Sequence, residues 1–469
     1  MKRTSYSSRE ILDHVQNLYD LGVKRPGTQA AVRAEEYLIT TLEGYGYTVT
    51  TDEIPVITVE HRNARLVVGD DEYEVFPYIP SVTTGPEGVT APLVFVSDPF
   101  DPNLDEAALS GKIIFAAIPY GSFSYRALLD IALDYRDTDG TLGDYVQDIT
   151  WNTEAEVAFL TLAKRAGAAG VIGVYPAVGD AYRELDGEAL AGMPEQELTP
   201  FLFNPLSDVT GRIPGPTPAA GLGPVAGARL EGSARRGETA TLILDGETKP
   251  GVTRNIVAEL PGEADDFVIV AAHHDTMWHG AVEECSGCGV VLALAEHYKK
   301  RTAPKPVGMR FVFFAGEQYR DLGVREYIEK REAALKKHLI ADIHIEHVAL
   351  EAAMTATGEL SLTGLLQPRA LFVTPGLGFE EKAIDVMHRY ELDRTIVLPT
   401  TTPLGVPTDA CPLDEAGFPI LSFISAPLYW NATQDTMDKV PIDELSRVAS
   451  AMTELVDRVM GGSKGEGGD

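Results

Sequence analysis

Tryptophan and cysteine are scarce, with three of each in 469 residues. Cys285, Cys288 and Cys411 are too few and too clustered for a disulfide framework, which points to a reducing, cytoplasmic setting. Basic residues are in deficit as well: 39 Lys and Arg stand against 70 Asp and Glu, a formal charge of −31. Such a surface repels phosphate backbones and anionic lipid headgroups, so nucleic acid and membrane surfaces are excluded as partners. No run approaches the roughly 18 apolar residues that span a bilayer. The opening MKRTSYSSREILDHV has two basic residues but no apolar stretch after them, unlike a secretory leader. What remains is the composition of a soluble globular chain, 44% apolar and 23% charged, with a Gly-rich tail, GGSKGEGGD, that reads as disordered. At ~100–200 residues per domain, the length predicts two or three units. Assembly into a homo-oligomer through apolar patches stays compatible with the acidic surface.

The order of elements follows from periodicity. SREILDHVQNLYDLG and TQAAVRAEEYLITTLEGYG carry apolar residues at helical spacing and close on Gly. From about residue 56 the texture turns to short strand-like runs between Gly, Pro and Asp, including RNARLVVGDDEYEVFP, a hairpin about Gly69-Asp70-Asp71. This stretch reads as an insertion containing SGKIIFAAI, a helical EVAFLTLAKRAGAAG and the strand VIGVY. After TRNIVAELPG, apolar strands alternate with helices: DFVIVAAHHD, GVVLALAEHYKKR, GMRFVFFAGEQ, LIADIHIEHVAL, FPILSFIS and a final helix from PIDELSRVASAMTELVDRVM. The pattern predicts an α/β fold, a mostly parallel twisted sheet with helices on both faces. The expected divisions are 1–55 for N-terminal helices of the main domain, 56–245 for the insertion and 246–469 for the main domain itself.

In such sheets ligands sit at the carboxyl ends of strands, and the chemically loaded residues fall there. His273 and Asp275 follow FVIVAA, Glu317 and Gln318 follow RFVFFAG, and Glu346 closes LIADIHI. Asp409 and Cys411 precede FPILSF, and Asn431 follows it. Imidazole and carboxylate groups converging from successive strand ends suit a divalent metal. These blocks, AHHD, GAVEECSG, FFAGEQ, IHIEHVA, TDACPLDEAGFP and NATQDTMDKV, resemble the zinc aminopeptidases of the M28 family, including its glutaminyl cyclase branch. The inserted SGKIIFA and FLTLAKRAGAAGVIGVY blocks are similar to a β-rich α+β protease-associated domain.

The resemblance implies an aminopeptidase/phosphorylase-like sheet and a role for each matching residue. His273 is the first metal ligand, Asp275 the carboxylate behind it that sets its tautomer, and Glu317 the general base. Glu283 takes the position of the bridging Asp, Glu284 that of the Asn after it, and Glu346 that of the strand-end Asp. Gln318 replaces a ligand Glu, and Asn431 replaces a ligand His. His273, Glu283 and Glu346 then keep one metal site, while the neutral amides of Gln318 and Asn431 leave the second without charge compensation. The expectation is one divalent ion (Zn, Mn, Fe or Co) and hydrolysis of a C–N bond in an amide or related aryl or acyl amine, of small-molecule or short peptide-like size. His274, His279, His344, His347, Glu284, Asp409 and Cys411 are further candidates for a rebuilt site. On alternation along the strand, His344 shares a face with Glu346 and His347 does not. A metal-free binding module, a dinuclear enzyme with recruited ligands and a redox role for CSGC stay open as alternatives. The acidic, aromatic segment 134–148 reads as either a lid or a solvated surface.

Overall fold

The computed structural model describes residues 6–118, 121–148, 153–183, 185–198, 217–302, 305–403 and 405–461. Its central sheet is organised by one strand, Phe267–His273, whose seven residues are all buried. Val268, Val270 and Ala272 enter one core with helices Ser8–Asp20, Gln29–Gly44, Cys285–Lys300 and Ile442–Gly461. Phe267, Ile269 and Ala271 enter the core on the opposite face with helix Leu322–His338. Successive side chains of a strand point to opposite faces, so an unbroken apolar run requires a covered sheet on both sides. Parallel neighbours are Gly308–Phe314 on one edge and Leu339–Ile345 on the other, and Ile420–Ser425 lies parallel beyond the latter. The carboxyl ends of these strands therefore lie side by side.

The expected hairpin is present, with Val68 paired to Asp71 around Gly69 and Asp70. The strand leading into it, however, runs unbroken from Thr48 to Val68, and its antiparallel partner from Thr239 to Leu260. The expected boundaries at 55/56 and 245/246 fall inside this ribbon, where Pro55 faces Val252 and Asn63 faces Asp245. Beyond it the insertion is built on parallel strands, Val89–Val96, Ile113–Ala117, Gly170–Val174 and Ala219–Leu222. Helix Thr153–Ala166 packs on one side and Pro224–Arg236 on the other, so this part is layered α/β. Segment 134–148 does not stand free as a lid: Asp134–Arg136 pairs with Thr395–Pro399 and extends the main sheet at its edge.

Helix Gln29–Gly44 is fastened to the ribbon by Glu35, which is fully buried. Its carboxylate accepts from the Thr253 hydroxyl, the Arg254 amide and the Arg254 guanidinium, each at 2.9 Å. Among the described residues no helix is long and apolar enough to cross a membrane.

Glu156, on the inserted helix, is 5% exposed, and burial holds its carboxyl up at about 8. The unfolded chain releases this proton near the ordinary value of 4.5, whereas the folded chain keeps it, so stability falls as pH rises through that window and levels off above it. Glu156→Gln should therefore flatten the fall, raising Tm by several degrees at pH 8 and changing it little at pH 4, as read by thermal denaturation across pH.

Candidate metal centre

The register sets the site. His273 lies opposite Phe314 in the paired strands, so the turn after Phe314 is delivered beside the histidine. That turn carries Glu317–Tyr319 as one 3-10 turn, entered through Gly316 at φ 74°, a left-handed conformation that favours glycine. Asp275 fixes it: its carboxylate accepts the amides of Gly316 at 2.7 Å and of Glu317 and Gln318 at 3.2 Å each. The family resemblance implies that this carboxylate orients the His273 ring. Its oxygen stands 3.8 Å from Nδ1, beyond hydrogen-bond reach, and the ring nitrogen instead meets the backbone carbonyl of Asp275 at 2.9 Å. Asp275 thus sets the tautomer through its main chain and positions Glu317 through its side chain.

Glu283 and Glu284 are joined by a cis peptide bond and face different partners. Asp435 holds their turn by accepting the amides of Val282 at 2.8 Å and Glu283 at 2.9 Å. The carboxylate of Glu283 is clasped by two neutral amides. Gln318 Nε2 donates to it at 2.6 Å. Asn431, with its amide nitrogen toward the acid, donates to the two oxygens at 2.5 and 2.8 Å. Trp278 Nε1 donates to the Asn431 carbonyl at 3.1 Å and anchors this clasp. Glu284 turns the other way and accepts the His347 amide at 3.2 Å. Gly287 gives it room, because a Cβ there would meet Glu284 Oε1 at 1.6 Å.

Four groups of side chains bring one possible ligand atom each within 4.8 Å of one another among the described residues. They are His273, Glu346 and His347; His273, Glu283 and Glu317; His344, Glu346 and Asp409; and Glu317, Asp321 and Asp409. His273 accordingly reaches both carboxylates assigned to it from the sequence, but Glu283 and Glu346 fall in separate groups.

The larger departure is His347. Alternation along the strand turns it away from Glu346, yet the strand ends at Ile345 and His347 takes φ 47°, which swings its ring back. Its Nδ1 meets the Ser425 carbonyl at 2.6 Å, leaving Nε2 buried without a hydrogen-bond partner. Positive φ outside glycine carries a weak sequence signal, and here none marked it. His344, favoured from the sequence, is wedged between Asp342 and Asp409. His274 faces away, with Nε2 on the Arg254 carbonyl at 2.9 Å. His279 is exposed and packs against Tyr19. Neither joins a metal-ligand group, nor does Cys411.

The CSGC thiols are packing groups in this arrangement. Cys288 Sγ donates to the His273 carbonyl at 3.0 Å, and burial pushes the Cys285 thiol up to about 11 and that of Cys288 well above its usual range. A depressed thiol is what nucleophilic or redox chemistry requires.

Electrostatics favour a cation. Burial, reinforced by neighbouring acids, holds the carboxyls of Glu283 and Glu317 well above the ordinary carboxylate range. Burial and the Asp409 charge hold Glu346 at about 8. Burial and the nearby His273 charge push His347 down to about 3, so its lone pair is free at neutral pH. Buried oxygen and nitrogen atoms without partners, Glu317 Oε2, His347 Nε2 and Asp409 Oδ2, are costly unless paired. A divalent ion between imidazole and carboxylate donors satisfies them, and two histidines with one glutamate are a known catalytic ligand set.

Residues 255–456 match peptidase family M28. The chain is similar to the probable lipoprotein aminopeptidase LpqL of Mycobacterium tuberculosis, at 22% identity over 373 residues, 74% of this chain and 60% of that protein; it thus spans about 60% of that relative's length. Its fold is shared with an aminopeptidase from Aneurinibacillus sp. strain AM-1 (20% identity, 97% of this chain and 94% of that one, TM-score 0.64). It is shared as well with a zinc aminopeptidase from Bacillus subtilis (17%, 97% and 95%, TM-score 0.65). A third such structure is a peptidase M28 precursor from Shewanella amazonensis SB2B (19%, 96% and 92%, TM-score 0.67). Strand order, converging acids and imidazoles, and this match agree over one stretch: residues 255–456 form a domain that matches peptidase family M28.

Proposed function

We propose that the protein is a metal-dependent hydrolase of C–N bonds in peptide or related amide substrates, with Glu317 as general base. The observation that carries this reading is the Glu317 carboxylate, whose Oε2 is buried without a partner, with a carboxylate oxygen within 4.8 Å of ligand atoms of His273 and Glu283. His273, Glu346 and His347 would hold the catalytic cation, and Glu283 shares His273 with a neighbouring group. When bound, a divalent ion polarises the scissile carbonyl and lowers the pKa of its water.

The chain's own part is to place and move the proton. Glu317 takes a proton at Oε2 from the water whose oxygen bonds to the carbonyl carbon and returns it to the nitrogen as the C–N bond breaks, and its raised affinity for that proton suits the return. Asp275 keeps the Glu317 turn from swinging by holding three of its backbone amides. The Gln318 and Asn431 amides hold Glu283 in one orientation. Where the family resemblance implies a carboxylate and an imidazole for a second ion, these amides close on Glu283 instead. Loss of that cation would remove an anchor for a substrate's free amino group, and we infer a narrower substrate range than that of a general aminopeptidase. The insertion, read as protease-associated-like, would form the rim of the cleft.

Activity is tested on a panel of aminoacyl anilides, short peptides and acyl aryl amines with protein loaded in turn with Zn, Mn and Co. Glu317→Gln should lower kcat on any cleaved substrate by at least about 100-fold while leaving bound metal unchanged. His273→Ala should lose one metal equivalent by plasma mass spectrometry together with activity. Full activity in Glu317→Gln would remove the general-base assignment. A second test addresses the clasp: the double change Gln318→Glu with Asn431→His should bind one equivalent more than the unchanged chain. An unaltered count would mean that the amides are not what keeps that position free of metal.

A further inference from the structure

His344 and Asp409 have no part in the proposed proton transfer, yet they are built as a site. His344 is wholly buried on the strand Leu339–Ile345, with its ring stacked on Phe314 at 5.9 Å and 4°. Its Nδ1 lies 3.2 Å from Asp342 Oδ2, a carboxylate that holds the ring proton on that side and leaves the Nε2 lone pair directed away from it. In that direction stands Asp409 Oδ2, at 3.6 Å. Both Nε2 and Oδ2 are buried without a hydrogen-bond partner.

A lone pair and a carboxylate oxygen facing each other out of water repel unless a proton or a cation lies between them. The two flanking carboxylates favour a proton on the ring, but a proton shared with Asp409 would hold the pair within hydrogen-bond reach, and at 3.6 Å the pair stands just beyond it. A larger cation between them accounts for the longer separation. With bonds of about 2.0–2.2 Å to nitrogen and oxygen, two ligands of a tetrahedral ion stand about 3.4 Å apart, close to what is seen. Glu346 supplies a third donor, its oxygen lying within 4.8 Å of both, and Asp409 is tied to it by donating its amide to Glu346 Oε1 at 3.3 Å.

We propose that His344, Glu346 and Asp409 bind a second divalent cation, with Glu346 shared between this site and the catalytic group of His273 and His347. The bridging role thus passes from Glu283, occupied by two amides, to Glu346. One imidazole with two carboxylates suits Zn, Mn, Fe or Co rather than a soft ion. The site rests on its own geometry and does not require the proposed reaction.

The test is to strip the full chain with a chelator, reload it with Zn or Mn, desalt it, count the metal by plasma mass spectrometry and locate it by anomalous diffraction at the metal edge. Two equivalents are expected, with one anomalous peak between His344 Nε2 and Asp409 Oδ2. Asp409→Asn and His344→Gln should each lose that peak and one equivalent while keeping the ion at His273. His273→Ala should show the converse. The map of the unchanged chain decides even where a variant fails to fold. A single equivalent at His273 and His347, with no density between His344 and Asp409, overturns this proposal and leaves the catalytic reading intact. An ion at His344 and Asp409 alone sustains it and overturns the catalytic assignment.

Discussion

Carboxylates gathered out of water repel one another, and that repulsion is the constraint around which this molecule is arranged. Glu283, Glu317, Glu346 and Asp409 fall in overlapping groups beside the carboxyl ends of the central strands, three of them buried and Glu317 partly so. Coulomb repulsion between buried like charges is strong enough to oppose folding unless protons, amide donors or cations compensate. Part of that compensation is visible. Glu283 is neutralised in effect by hydrogen bonds from two amides, Asp275 by three backbone N–H groups, and the remaining acids by proximity to imidazoles. Where neither amide nor backbone reaches, orphaned atoms remain, and these mark where positive charge belongs.

The sheet makes this convergence affordable. Strand Phe267–His273 is buried on both faces, so its end is rigid, and the chain leaving it can hold His273 and Asp275 in fixed relation to the neighbouring turn. The divergence between Asp275's main chain, which meets the His273 ring, and its side chain, which holds the Glu317 turn, shows two tasks divided within one residue. A substitution that kept charge but lengthened the side chain would disturb the second task before the first.

Much of this was legible in the sequence, and the failures have physical causes. Unbroken apolar runs revealed the covered strands, because burial on both faces leaves no alternation to read. The strand-end placement of His273, Glu317 and Glu346 followed from the same runs. His347 escaped because alternation presumes that the strand continues, and the backbone leaves the extended region one residue after Glu346. The role of Asp409 was open for a different reason: proximity across the sheet depends on register, which a single sequence does not reveal. The 21- and 22-residue ribbon strands were divided at changes of texture that mark a change of surroundings rather than an end of hydrogen bonding.

That ribbon bears on modularity. A domain inserted through flexible linkers can be removed, exchanged or left to swing. Here the two crossings are themselves paired strands, and Asp134–Arg136 returns from within the insertion to add an edge to the main sheet. The insertion is therefore stitched to its host at three points of a continuous hydrogen-bonded fabric. Any movement of the insertion against the main sheet has to be taken up within that ladder or break its hydrogen bonds.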